Sequence, residues 1–428
     1  MSLFNGPNKT SFHNHQNRAT LTLLTSLFFI WGFITCLNDI LIPHLKSLFT
    51  LSYTQVMMVQ FCFFTAYLLV SMPSGYLVKR IGYKGAIVSG LAIAGFGCLL
   101  FYPAAALRMY WLFLSAFFVL ASGITLLQVA ANPYVTQLGS PETSSSRLTL
   151  TQAFNSLGTT VAPYFGATFI LSNTLITNSA VNPSAIASQQ AIEAAAVQNP
   201  YLLISLILFS TALVCQLFKW PDLSLDQASS PIDTALVAVK NESGVWQERH
   251  LILGAIAIFL YVGAEVSIGS FMVNFLSEPA ITGLPNHEAA GYLSIYWGGA
   301  MIGRFLGAAI MEKVKPNKVL AFHAVAAALL VTVVIFGSGK VAMIAILSVG
   351  LCNSIMFPTI FSLGIKNLGA LTEQGSGILC AAIVGGAIVP VLQGLLADTF
   401  GIQRAFALAC LCYLYIAYYG WSGHTVKT

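Results

Sequence analysis

The chain has 428 residues, 57% of them hydrophobic and only 8% charged, with a formal net charge of +5. An ordinary soluble domain carries about 25% charged residues, so a soluble enzyme or binding module is excluded. The eight cysteines (Cys36, Cys62, Cys98, Cys215, Cys352, Cys380, Cys410 and Cys412) all fall inside apolar runs and show no disulfide or zinc spacing, so they read as small apolar residues.

Apolar runs long enough to cross about 30 Å of hydrocarbon as helix define twelve predicted spans. In chain order these spans, 1 to 12, cover residues 21–47, 54–78, 84–106, 109–136, 148–172, 200–218, 250–276, 289–311, 317–337, 340–365, 374–397 and 403–422. The expected architecture is an all-α membrane protein of twelve transmembrane helices in two six-helix bundles. Residues 1–218 form the first bundle, the polar stretch 219–248 a cytoplasmic linker, and 249–428 the second bundle. The first 19 residues are polar and the apolar run after them is too long for a cleaved signal, so span 1 is expected to stay in place. With the N-terminus inside, the inner loops and termini hold 14 Lys and Arg residues and the outer loops only Lys46, Arg108, Lys340 and Arg404. That bias places both termini in the cytoplasm, and the positive charge needs no nucleic-acid partner.

Span 1 contains CLNDILIPHL (36–45), with Asn38 and Asp39 near its middle. A carboxylate at the centre of a membrane helix costs about 2.5–3.5 kcal/mol on insertion scales, so it marks an ion or substrate route more often than a structural pair. No basic residue in the cores of spans 1 to 6 neutralises Asp39, which suits a proton carrier. After span 2 the loop reads GYLVKRIGYK (75–84), where Lys79 and Arg80 are expected to mark topology and to make an inner-gate contact. Span 4 aligns Thr125, Gln128 and Asn132 on one face, and span 5 aligns Thr151, Asn155 and Thr159 in the same register. Two polar stripes of this kind offer amides and hydroxyls to something other than lipid.

The second half adds Glu265 and Asn274 in span 7, Tyr296 and Trp297 in span 8, Asn353 in span 10 and Gln393 in span 11. Tyr296 or Trp297 offers an aromatic face to a bound molecule, although such aromatics also settle at bilayer interfaces. For each Asn, Gln or Thr, interhelical glue is the competing reading. Arg304 lies near the inner end of span 8, where it reads as a gate residue or as an anchor to a carbonyl or to Glu312.

The two halves echo each other. GYLVKRIGYK after span 2 pairs with GAAIMEKVKPNK (307–318) after span 8, ANPYVTQLG (131–139) with MFPTIFSLG (356–364), and NSLGTTVAPYFG (155–166) with AIVGGAIVPVLQG (382–394). Pro133 thus matches Pro358, and Pro163 matches Pro390. Repeats of six helices, with a midplane site between them, are an architecture of secondary transporters.

A basic, glycine-marked turn after spans 2 and 8 in a 6+6 repeat resembles the major facilitator superfamily. Within it LNDILIPHL, QVAANPYVTQLG, QAFNSLGT, YVGAEVSIGSF and FPTIFSLGIKNLG resemble the fucose permease family, most closely its bacterial glucose/galactose branch, from about residue 20 to 420. The resemblance implies that Asp39 matches a span 1 aspartate handling protons and sugar, and that Asn155 matches the family's span 5 position. It also exposes departures: Gln128 stands where the family has a glutamate, and Glu265 where fucose permease has a glutamine. Val78 or Lys79 occupies the place of the usual acidic residue in the superfamily's loop signature.

The expectation is a cation-coupled hexose symporter of a bacterial cytoplasmic membrane, working as a monomer by alternating access. Asp39 and Glu265 are the coupling candidates; Asn38, Gln128, Asn132, Asn155, Asn353, Gln393 and Trp297 would face substrate; Arg304, Lys79 and Arg80 would gate. A proton is favoured over sodium, for which Asp39 with amide oxygens of Asn38, Gln128 and Asn155 is the alternative site. N-acetylglucosamine or fucose is the alternative substrate, and a drug or lipid exporter the alternative class, to which GTTVAPYFG (158–166) has a weak likeness. No catalytic or metal-ligand set occurs at usable spacing, and no cofactor is expected beyond the co-transported H⁺ or Na⁺.

Overall fold

The computed structural model describes residues 9–49, 53–166, 183–221 and 244–426. Its long elements are all helical, as they must be where no water satisfies a strand edge. They are α1 (Lys9–Phe49), α2 (Tyr53–Leu107), α3 (Tyr110–Gln137), α4 (Ser144–Gly166), α5 (Pro183–Leu217), α6 (Arg249–Ser277), α7 (Asn286–Ile310), α8 (Pro316–Phe336), α9 (Gly339–Asn353), α10 (Met356–Gly364), α11 (Thr372–Ala381), α12 (Gly385–Phe400), α13 (Ile402–Ala405) and α14 (Ala407–Tyr418).

Among the described residues ten stretches are long and apolar enough to cross a membrane. One of them, Phe61–Leu107, holds both span 2 and span 3, separated at Gly82, whose φ of 75° a side chain would strain. Span 5 is a further helix, α4, whose first residues SSSRLTLTQ are too polar to count by composition. The twelve predicted spans are thereby all placed.

Spans 10 and 11 depart from the single helices expected. Span 10 stops at Asn353, turns through Ser354 and Ile355 and restarts as α10, while span 11 passes from α11 to α12 through a 3-10 turn at Ala382–Val384. Pro358, in the first turn of α10, has no N–H to return to the Ser354 carbonyl. Side chains satisfy the carbonyls of the break: Arg304 Nε donates to Ser354 O at 3.1 Å, His323 Nδ1 to Cys352 O at 3.1 Å, and Ser354 Oγ to Leu351 O at 2.7 Å. A broken ladder inside a membrane is stable only when its backbone groups find such partners.

Within the first half α1 packs along α4, and α2 along α3 and α5; within the second, α6 lies against α10 and α12, α7 against α9, and α8 against α9 and α14. Phe101 fills one core, between Phe113, Phe117 and Tyr201, with ring centroids 4.1–5.8 Å apart. Leu206, Leu213, Leu329 and Phe336 point outward and are exposed, the arrangement of a bundle whose periphery meets lipid. The halves meet where α2 and α3 touch α11, and where α4 touches α7 and α10. Of the predicted linker, residues 222–243 lie outside the described residues. Its first residues pack back on α3: the Trp220 ring lies 5.2 Å from that of Tyr134, whose hydroxyl donates to the Pro221 carbonyl at 3.1 Å.

Candidate functional site

The second half builds one polar group inside its core. Glu265 in α6 is half-buried and accepts a 2.8 Å hydrogen bond from the hydroxyl of Tyr261, one turn earlier on the same face. Asn353, at the end of α9 where the helix breaks, donates through Nδ2 to the Tyr296 hydroxyl at 2.7 Å. The Tyr413 hydroxyl from α14 is buried beside the Asn353 side chain. Arg304 lies within electrostatic reach of Glu265, Tyr261 and Tyr296. Spans 7, 8, 10 and 12 thus surround one carboxylate with three tyrosine hydroxyls, an amide and a guanidinium.

Sequence reasoning had marked Glu265, Tyr296, Asn353 and Arg304 but passed over Tyr261 and Tyr413. Tyr261 was within reach of the i, i+4 rule applied to Glu265; Tyr413, in a uniformly apolar run, had no such signal. Trp297 is 39% exposed, meets Tyr296 edge-on at 5.0 Å, and lies over Gly269, where its ring would sit 3.4 Å from a Cβ. That leaves part of the indole exposed.

In the first half the predicted stripes divide by chemistry. The span 5 hydroxyls turn back on their own helix, Thr151 donating to Leu148 O at 2.8 Å and Thr159 to Ser156 O at 2.7 Å, while that of Thr125 in span 4 is buried without a hydrogen-bond partner. The amides cross between helices instead. Gln128 Nε2 donates to the Tyr67 hydroxyl of span 2 at 2.7 Å, and Asn155 Nδ2 to the Phe28 carbonyl of span 1 at 2.9 Å. Asn132 and Gln393 are fully buried, and both amide atoms of each are without a hydrogen-bond partner. Keeping such groups in a core costs about 1–3 kcal/mol each, which packing alone does not reward. Asn38 and Asp39 belong to α1, but their side chains lie outside the described residues.

At the end of the bundle that carries the basic loops, the halves are joined. Lys79 and Arg80 are exposed, and Tyr83 rather than either of them makes the loop's contact with the other half. Its hydroxyl donates to Glu373 Oε1 of α11 at 3.0 Å and accepts from Gln137 Nε2 of α3 at 3.0 Å. Ser145 pairs with Ser362 at 2.5 Å, Ser146 donates to Ala308 O at 2.7 Å, and Ser376 to Val129 O at 2.8 Å. Arg304 Nη1 donates to the Ser156 hydroxyl of α4, so the same guanidinium serves the broken helix and the opposite half. Backbones come close here: a Cβ on Gly75 would stand 2.7 Å from Glu373 O, and one on Gly377 2.7 Å from Ser71 O.

Residues 23–379 match the family model of the Major Facilitator Superfamily. A glucose/galactose transporter of Brucella abortus is 56% identical, the alignment covering 98% of each chain. The L-fucose-proton symporter of Escherichia coli is 37% identical over 92% of this chain and 90% of its own. A solved structure of a superfamily transporter, FucP, in the outward conformation superimposes with a TM-score of 0.86 at 35% identity, covering 96% of this chain and 100% of that one.

Proposed function

We propose that this chain, which belongs to the major facilitator superfamily and to its fucose permease branch, imports a hexose of the glucose/galactose type by cation symport across a bacterial cytoplasmic membrane. The observation that carries the substrate class is the 56% identity, over nearly the full length, to a glucose/galactose transporter. Proton coupling is favoured over sodium by the 37% identity to a fucose-proton symporter and by Glu265, a carboxylate in the middle of span 7.

In this reading the basic-loop end is cytoplasmic, both termini lie there, and the joined halves represent the state open to the outside. Sugar hydroxyls would be met by Gln128, Asn132 and Asn155 from one half and by Asn353 and Gln393 from the other, with Trp297 against the ring. Asp39 and Glu265 would carry the coupling cation, and its binding with sugar would release the contacts of Tyr83, Ser376 and Arg304 so that the halves, 1–218 and 249–428, rock about the site.

Uptake of radiolabelled glucose, galactose, fucose and N-acetylglucosamine into proteoliposomes, under imposed proton or sodium gradients, tests this. Wild type should accumulate glucose or galactose in a proton gradient, and Asp39→Asn or Glu265→Gln should reduce accumulation at least tenfold while leaving sugar exchange. Gradient-driven accumulation that survives in both variants would remove the coupling role from both carboxylates.

A further inference from the structure

We infer that the closed gate is built on two backbone carbonyls released by prolines, which the internal repeat places at equivalent points: Val129 O, released by Pro133, and Ser354 O, released by Pro358. Proline has no N–H, so the carbonyl four residues earlier loses its helical partner. Both prolines belong to the matched motifs ANPYVTQLG and MFPTIFSLG. Each released carbonyl is capped by a side chain tied to the interface between the halves. Ser376, fully buried on α11, donates to Val129 O at 2.8 Å from the opposite half. Arg304 donates to Ser354 O at 3.1 Å and, through its other arm, to Ser156 of the opposite half.

The chemistry explains why a gate would use such groups. A carbonyl already engaged in a helical ladder offers a second donor only its spare lone pair, whereas a proline-released carbonyl is a whole acceptor. When the halves part, Ser376 leaves Val129 O and water entering from that end takes its place, whereas Arg304 stays on Ser354 O within its own half and gives up only its arm to Ser156. No helical hydrogen bond has to break, so closing and opening differ by about one hydrogen bond at each of the two contacts and stay reversible. The inference rests on the transport reading only for what the opening accomplishes.

The test is amide hydrogen exchange, read by mass spectrometry on the full-length protein in lipid nanodiscs without sugar or ion gradient. Ser376→Ala should speed exchange in α11 and at the Gln137 end of α3 by about fivefold, the factor that one net hydrogen bond is worth. Pro133→Ala returns an N–H to Val129 O, and in that background Ser376→Ala should change exchange by less than about twofold. Equal acceleration in both backgrounds would mean that the hydroxyl acts through something other than the released carbonyl, and no acceleration in either would mean that it holds nothing closed; each overturns the inference. Should Pro133→Ala not yield folded protein, Ser376→Thr, which keeps the hydroxyl donor, decides: exchange at the wild-type rate supports the inference, and acceleration equal to that of Ser376→Ala overturns it. Because no substrate is present, a failure here leaves the uptake result standing, and a failure of uptake leaves this one.

Discussion

Spans 4 and 10 carry the same proline at equivalent points of the repeat and take different shapes. Span 4 runs through Pro133 as one helix, Tyr110–Gln137, whereas span 10 breaks at Ser354 and Ile355, three residues before Pro358. A proline costs a membrane helix one carbonyl partner, and one such loss is tolerated. In span 10 Arg304 from span 8 takes the carbonyl that Pro358 releases, Ser354 O, and the break unpairs a further one, Cys352 O, which His323 from span 9 takes. At Pro133 a single neutral hydroxyl, that of Ser376, caps the one released group. The supply of donors from neighbouring helices, more than the proline itself, decides whether the chain breaks.

The largest effect is expected from Arg304→Met. It strips the cap from a buried carbonyl and cuts the link to Ser156, so a loss of about 1.5–3 kcal/mol is expected, the range for hydrogen bonds to charged groups. Thermal unfolding in detergent measures it; an unchanged midpoint would mean that the break in span 10 stands without its charged donor. Tyr83→Phe comes next. Span 4 is held to span 11 at two levels, through Val129 with Ser376 and through Gln137 with Tyr83 and Glu373, and removing the hydroxyl should weaken the closed state by about 1 kcal/mol. Exchange of amides 75–84 should rise accordingly, and a rate equal to wild type would leave the closure to the serine contacts alone. The smallest effect should follow His323→Leu, which keeps the bulk but leaves Cys352 O uncapped: about 0.5–1 kcal/mol by the same unfolding measurement. A loss larger than that of Arg304→Met would reverse the ranking of the two donors.

How far the site could be read from the chain depends on spacing. The i, i+4 and i, i+3 intervals put Gln128, Asn132 and Asn155 on inward faces, and Gln128 and Asn155 do meet neighbouring spans. The same spacing could not show that Thr151 and Thr159 spend their hydroxyls on their own helices, because that depends on a rotamer rather than on a face. Tyr83 escaped notice because GYLVKRIGYK reads as a run of charge, while the contact that forms is made by the second of its two phenols with a carboxylate 290 residues away. Tyr413 escaped for a related reason: in a buried apolar run an aromatic reads as packing, and its hydroxyl acquires meaning only beside Asn353 and Tyr296.

Composition, run length and the placement of Lys and Arg determined by themselves that this chain is a twelve-span helical membrane protein, since continuous apolar runs of about 20 residues suit a helix and not the strand of a closed barrel, and the bilayer charges each buried polar residue heavily. Motif likeness reached as far as the family. The break in span 10, the meeting of Tyr296 and Tyr413 with Asn353 and the side chains that close the basic-loop end were decided only in the tertiary structure. Each depends on a donor and an acceptor far apart in the chain meeting at about 3 Å, and no periodicity within one span records whether a partner on another will be there.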